Sequence, residues 1–210
     1  MKSSLTLWCA VGAALLIMGV GTIAADRDLT VRTKLTGLEE TTATINTTAS
    51  GEFKATISED GTSIKYEETW QDLSSTVTQS HIHFGLPGLS GGVVLFLCYN
   101  PAAPITPPIT APPGVPTPPL CPTTSPATVT GTLTEADVIA VPGQGIDAGA
   151  DGFSEMIKAI KNGVAYANVH SVLHPGGEIR GRLGGRNSAG DEEHNHDGDD
   201  GHDHGGHEGH

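Results

Sequence analysis

Polar and apolar residues alternate along most of the chain, with turn-forming residues between the alternating stretches. An alternation of period two is the pattern of a strand with one buried face. The stretches lie at residues 29–35, 53–57, 64–70, 79–84, 164–171 and 178–183. Short strands separated by turn signals predict an all-β domain, built as an antiparallel Greek-key sandwich or barrel.

Two segments depart from this alternation. Residues 93–98 (VVLFLC) are apolar on both faces, which predicts a central strand. Near residues 153–161, apolar residues recur at helical spacing, so one short helix is expected there. Asp151 is positioned to cap its first turn, and Asn162-Gly163 supplies a stop signal.

A proline-rich segment interrupts the pattern at residues 99–127. Proline removes backbone donors, so this segment predicts a long surface loop, partly polyproline, rather than a core strand. Cys98 and Cys121 flank it, and outside the reducing cytoplasm such a pair is expected to form a disulfide that closes the loop. A thiolate metal site is the weaker alternative, because neither cysteine has a closely spaced second ligand of the zinc type.

The first 24 residues have the features of a secretory signal. Lys2 is followed by an apolar run to Val20 and by small residues before Asp26. We therefore expect cleavage after Ala24, a mature β domain over residues 25–185, and a secreted or surface location, in the periplasm or outside the cell. Retention of the segment as a membrane anchor is the alternative, and no membrane association is expected after cleavage.

The net charge of -13 is concentrated at the C-terminal end of the chain, where eight acidic residues and no lysine or arginine occur among the last twenty. Because no basic patch is present, nucleic acid is excluded as a partner. Residues 186–210 contain almost no apolar side chain and predict a disordered tail. The tail carries six histidines, namely His194, His196, His202, His204, His207 and His210.

Imidazole nitrogens bind zinc, copper and nickel, and the carboxylates between these histidines attract divalent cations. The tail is therefore predicted to bind several ions with low selectivity. A solvated acidic extension is the alternative interpretation.

The β domain contains a second group of histidines. His81 and His83 lie two residues apart on one strand, so they share a face, and Tyr166, Asn168 and His170 share a face of a later strand. With His170, the His-x-His pair could complete a three-ligand metal site. The alternative, which the sequence favours, is a structural role, in which these histidines form a hydrogen-bonded polar layer with Asn168, Glu178 and Arg180.

These segments resemble the CHRD domain, the chordin-type repeat, over about residues 29–183. The motifs are HIHFG at 81–85, NVHS at 168–171 followed by GGEIRG at 176–181, GG at 91–92 leading into VVLFLC, and GTLT at 131–134. The resemblance implies an extracytoplasmic β domain, immunoglobulin-like or superoxide-dismutase-like, that binds a protein partner. HIHFG is also similar to the histidine-rich strand of copper/zinc superoxide dismutases, which would make His81 and His83 copper ligands. However, that family's bridging-histidine loop has no counterpart.

No catalytic motif, such as a nucleophile elbow or a phosphate-binding glycine loop, is found in the sequence. The prediction is a secreted, non-enzymatic CHRD-domain binding or structural protein with a metal-binding tail and no required cofactor. Two alternatives remain. One is a copper-dependent redox enzyme of the superoxide dismutase type, and the other is a periplasmic protein for metal storage or delivery.

Overall fold

Eight strands form one antiparallel sheet that curls into a nearly closed barrel in this computed structural model, which describes residues 28–184. The sheet order is β5-β4-β7-β8-β1-β2-β3-β6. The strands are β1 (Leu29–Thr36), β2 (Ser50–Ile57), β3 (Ile64–Gln71), β4 (Val77–Phe84), β5 (Gly92–Tyr99), β6 (Ala127–Leu133), β7 (Ala165–Ser171) and β8 (Ile179–Leu183). The predicted all-β antiparallel class is confirmed.

Three local units and strand β6, which pairs with β3, make up the barrel. Strands β1, β2 and β3 form a meander, while β4–β5 and β7–β8 are hairpins joined through the β4–β7 ladder. The predicted turn between β2 and β3 is present, with Asp60 accepting hydrogen bonds from Ser58 and Thr62 and with Gly61 at a φ of 67°. The short hairpin connections fix the register of each pair, and thus which residues face the interior.

The barrel interior holds the alternate apolar residues of the strands. Ile82 of β4, Val169 of β7 and Ile179 of β8 are completely buried there. Helix α1 (Gly149–Lys161) adds Met156 and Ile160 to the same core. Because successive strand residues face opposite ways, the intervening residues of β4, β7 and β8 lie on the outer face of the sheet.

Helix α1 differs from its prediction at one end. It begins at Gly149 rather than near 153, so Asp151 lies within the first turn and does not cap the helix. Ala148 occupies the N-cap position without a side-chain hydrogen bond. The predicted stop is correct, since the helix ends at Lys161 and Gly163 follows with a φ of 68°. Three 3-10 turns, Gly37–Glu39, Glu135–Asp137 and Pro142–Gln144, complete the helical elements of the described residues.

Strand β5 is not central, which corrects the prediction from its apolar sequence. It lies at the end of the ladder order, where β4 is its paired strand. Its other side is covered by irregular segments, since the Val94 carbonyl accepts from Ile139 N and the Tyr99 carbonyl accepts from Cys121 N. This cover explains why Leu95 and Leu97 are fully buried at the end of a sheet.

The proline-rich segment between β5 and β6 is a loop, as predicted, and the Cys98–Cys121 disulfide ties it to the end of β5. The predicted signal at 1–24 and the tail at 186–210 lie outside the described residues. Within 28–184, no helix is long and apolar enough to cross a membrane.

Candidate metal centre

The outer face of the β4–β7 ladder brings three histidines together. His81 and His83 alternate with Ser80 and Ile82 on β4, as the sequence predicts. Across the ladder, His81 is opposite Asn168 and Gln79 is opposite His170, so His170 lies diagonal to His81. Side chains at such diagonal positions are within reach of one another when they are long or aromatic.

One ring nitrogen from each of His81, His83 and His170 lies within 4.8 Å of the others. The ring centroids of His81 and His170 are 4.9 Å apart, and those of His81 and His83 are 5.4 Å apart. A central ion would need each ring to move inward by less than about 1 Å to reach a metal–nitrogen bond of about 2.0–2.1 Å. The spacing therefore suits a single transition-metal ion.

Backbone carbonyls hold two of these rings in a defined orientation. His83 Nδ1 is 3.0 Å from the Gly91 carbonyl, and His170 Nδ1 is 3.0 Å from the Pro175 carbonyl. A carbonyl only accepts hydrogen bonds, so each Nδ1 carries the proton and each Nε2 of the neutral ring has a free lone pair. A histidine that donates its other ring N–H to a carbonyl is the usual arrangement around a bound metal.

The remaining ring nitrogens of the cluster have no hydrogen-bond partner among residues 28–184. These are Nε2 of His83 and His170 and both ring nitrogens of His81. All three side chains are buried, with exposed fractions of 2% for His81, 7% for His83 and 6% for His170. Buried polar atoms are normally paired, and each unpaired one costs about 1–3 kcal/mol. The cluster thus presents several buried acceptors that no residue in the described part of the chain satisfies.

Burial also keeps these imidazoles neutral. Desolvation lowers the pKa of His81 well below its usual 6.5, with smaller contributions from His170 and His83. It lowers the pKa of His83 to about 4 and also lowers the pKa of His170. Near neutral pH the rings are uncharged, and their lone pairs are available without loss of a proton.

Aromatic rings form the walls of the cluster. The Phe96 ring on β5 is 4.2 Å from His81, centroid to centroid, at a steep angle. Tyr166 on β7 stacks on His83 at 4.6 Å with nearly parallel planes, and the guanidinium carbon of Arg180 lies 3.3 Å from the centroid of Tyr166. His83, Tyr166 and Arg180 therefore form a continuous stack at one side of the site.

Two connecting segments cover this face and are joined through Arg180. Its guanidinium donates to Thr41 Oγ1 and to the Leu89 carbonyl, each at 2.8 Å. Thr41 also contacts Ser90 Oγ at 3.0 Å, which links the β1–β2 connection to the β4–β5 hairpin loop. At Gly91 a Cβ would overlap the Phe84 carbonyl, so the β4–β5 hairpin loop requires glycine there.

The other residues of the predicted polar layer have separate partners. Glu178 accepts from Ser74 N, Thr47 Oγ1 and Ser171 Oγ, while Arg180 bonds to the covering loops and not to Glu178. Asn168 Oδ1 has no hydrogen-bond partner within residues 28–184. His174, the fourth histidine of the domain, is not part of the cluster. The six tail histidines lie outside the described residues.

Several features of this face were not predicted from the sequence. The orienting carbonyls of Gly91 and Pro175 carry no sequence signal, because every residue has a carbonyl. Glu40 is a buried acid near Asn168, and desolvation outweighs the neighbouring Arg180 to raise its pKa to about 7. Phe96 could have been found, since it lies on the opposite face of VVLFLC from Leu95 and Leu97.

One of three comparisons with known proteins found a match. A model of the CHRD domain family matches residues 31–183. No curated protein and no solved structure matches the chain. The family match covers β1 through β8 and includes His81, His83 and His170.

Proposed function

The chain belongs to the CHRD domain family, and from this premise we propose that it is an extracytoplasmic, non-enzymatic binding protein whose β domain holds one transition-metal ion. The ligands are His81, His83 and His170. The family is one of binding or structural domains, typically extracellular, which supports the general class. The Cys98–Cys121 disulfide supports an oxidising compartment.

One observation supports the proposed metal site: ring nitrogens without hydrogen-bond partners converge at a buried position between three histidines. A structural polar layer would satisfy its members with one another, but within the described β domain His81 has no hydrogen-bond partner at either ring nitrogen. A bound ion would accept a lone pair from each ring and remove the cost of burying them unpaired. The protonated Nδ1 atoms of His83 and His170 already face away from the ion position, toward carbonyls.

The tail has a separate part in this proposal. Its six histidines and eight acidic residues would collect zinc, copper or nickel ions at low selectivity around the domain. The predicted signal peptide supports export of the whole chain. In an alternative form of this proposal, the protein stores or delivers metal in the periplasm. The tail, and not the domain, then binds most of the metal.

A copper-dependent redox enzyme is the second candidate, because the same histidines would be its ligands. Such an enzyme needs an open position on the ion that a small substrate can reach from solvent. All three histidines are at most 7% exposed, which favours retention of an ion over turnover. Superoxide decay accelerated by the copper-loaded protein, and not by the His83→Gln variant, would favour the enzyme instead.

The metal site is tested by elemental analysis of the full-length chain in which all six tail histidines are replaced by asparagine. We call this protein the tail-substituted chain. After removal of metal it is incubated in turn with Zn(II), Cu(II) and, without oxygen, Cu(I), and unbound ion is then removed. We expect one retained ion per chain for at least one of these metals.

Three single variants of the tail-substituted chain provide the controls. His83→Gln and His170→Gln should lose the ion, while His174→Gln should keep it because His174 is outside the cluster. Circular dichroism of the metal-free proteins checks that each variant is folded. If the tail-substituted chain retains none of the three metals, the proposed site is wrong.

A further inference from the structure

The donor set of the histidine cluster contains no negative charge. Its members are three neutral imidazoles, and no carboxylate or thiolate of the described residues belongs to the group. Cys98 and Cys121 are joined in a disulfide, and Glu178 accepts three hydrogen bonds elsewhere. The full charge of a bound ion would therefore remain on the ion and its ligands.

The surroundings make such a charge costly. The three rings are nearly inaccessible to water, and the rings of Phe96 and Tyr166 line the site. The free energy of transferring an ion from water into a poorly polarisable interior rises with the square of its charge. A divalent ion would accordingly meet about four times the penalty of a monovalent one.

Arg180 adds a fixed positive charge on the same side of the cluster as Tyr166, and the nearby acid Glu40, whose own pKa is raised to about 7, offsets this charge only in part. Its guanidinium stacks on Tyr166, which in turn stacks on His83. The hydrogen bonds to Thr41 and to the Leu89 carbonyl hold it in place. Repulsion between this cation and a bound ion is twice as large for a divalent ion as for a monovalent ion at the same position.

The number of ligands also favours a monovalent ion over zinc. Zinc in closed protein sites takes four ligands, whereas the cluster supplies three. Tyr166 presents its ring face, not its hydroxyl, to His83, and Phe96 has no donor atom. Monovalent copper is stable with two or three nitrogen ligands and does not need a fourth.

We infer that the site formed by His81, His83 and His170 selects copper in its monovalent state over divalent copper and zinc. This inference rests on the proposed function, since it specifies the ion held at the same site. It assigns the domain to the binding of Cu(I), a soft cation that imidazole ligands accept.

Competition titrations of the tail-substituted chain test the inference. Cu(I) is titrated without oxygen against a chromophoric Cu(I) chelator, and Zn(II) and Cu(II) are titrated against chelators of matched strength. We expect the affinity for Cu(I) to exceed that for each divalent ion by about a hundredfold or more. Equal or tighter binding of Zn(II) or Cu(II) at the cluster would overturn the inference and leave the proposed metal site intact. Binding of no ion would overturn both.

A matched pair of substitutions tests the charge argument itself. Phe96→Glu places a carboxylate beside His81, and Phe96→Gln places a neutral group of the same shape there while all three ligands stay in place. We expect the Zn(II) affinity of the Glu variant to exceed that of the Gln variant by about tenfold or more. Equal Zn(II) affinities in the two variants would contradict the role assigned to the missing negative charge.

Discussion

At the scale of single residues, the histidine cluster depends on contacts that sequence spacing only partly reveals. The His-x-His spacing predicts that His81 and His83 share a strand face, and the structure confirms this. Spacing does not indicate which ring nitrogens are paired, because the partners of His83 and His170 are backbone carbonyls in loops. The sequence therefore predicted the members of a metal site but favoured the polar layer.

A buried ionisable residue also lies on the inner face of the sheet, opposite the face that holds the histidines. Glu68 occupies an inward position in the alternation of β3, between Tyr66 and Trp70, and is completely buried. No residue of the described chain makes a hydrogen bond of good geometry to either carboxylate oxygen, although Ser80 is close enough to lower the pKa slightly. Desolvation raises the pKa of Glu68 to about 8, so the side chain is mostly protonated at neutral pH.

Glu68 gives the first prediction, a dependence of stability on pH. The folded protein binds its proton up to about pH 8, whereas a carboxyl in the unfolded chain releases it near 4.5. The contribution of Glu68 to the free energy of unfolding should therefore fall as pH rises from about 4.5 to 8 and become constant above that, while the buried histidines contribute with the opposite sign below about pH 6.5. Tyr66, the titratable neighbour on the same face, stays neutral in this range because its pKa is raised.

The matched variant is Glu68→Gln, which keeps the shape of the side chain without the ionisable proton. Urea unfolding of both metal-free proteins between pH 5 and 9 measures the effect. We expect the stability of the variant relative to the parent to increase as pH rises from 5 to 8, because the histidine contributions are common to both proteins, and we expect the variant to be the more stable protein at pH 8. A difference in stability between the two proteins that does not change with pH would show that Glu68 does not titrate as described.

At the scale of elements, the positions of strands were predictable and the neighbours of one strand were not. The alternation located β1 to β4, β7 and β8 because one face of each strand is buried, whereas β6 was not among the alternating stretches and is a strand that the pattern missed. Strand β5 was assigned a central place because it is apolar on both faces. The side of β5 that does not pair with β4 is covered by the proline-rich loop and by residues near Ile139. Neither segment has a strand pattern of its own.

The prediction at the scale of elements concerns the stability that the disulfide contributes. Cys98 and Cys121 are 23 residues apart, and cross-linking restricts the unfolded chain by an amount worth roughly 3 kcal/mol. The double variant Cys98→Ala/Cys121→Ala should lose about this much free energy of unfolding, measured in urea. Because the loop also covers β5, the loss should be accompanied by faster hydrogen exchange at Leu95 and Leu97. A loss below about 1 kcal/mol would mean that the loop holds its place without the cross-link.

At the scale of the whole molecule, the barrel separates two kinds of chemistry. Its interior is apolar except for groups such as Glu68 and Ser80, while the outer face of β4, β7 and β8 holds the histidines under two connecting segments. The fold class and the family were predictable from strand patterns and motifs. The cover over the histidines was not, because it depends on Thr41, Ser90 and Arg180 meeting from segments far apart in sequence.

The central claim is that one metal ion occupies the space between His81, His83 and His170. Anomalous diffraction from crystals of the tail-substituted chain, loaded with copper and measured on both sides of the copper edge, tests it most directly. The predicted result is one strong peak about 2.0–2.1 Å from a ring nitrogen of each of the three histidines. Copper density elsewhere on the protein, with none between these rings, would contradict the claim.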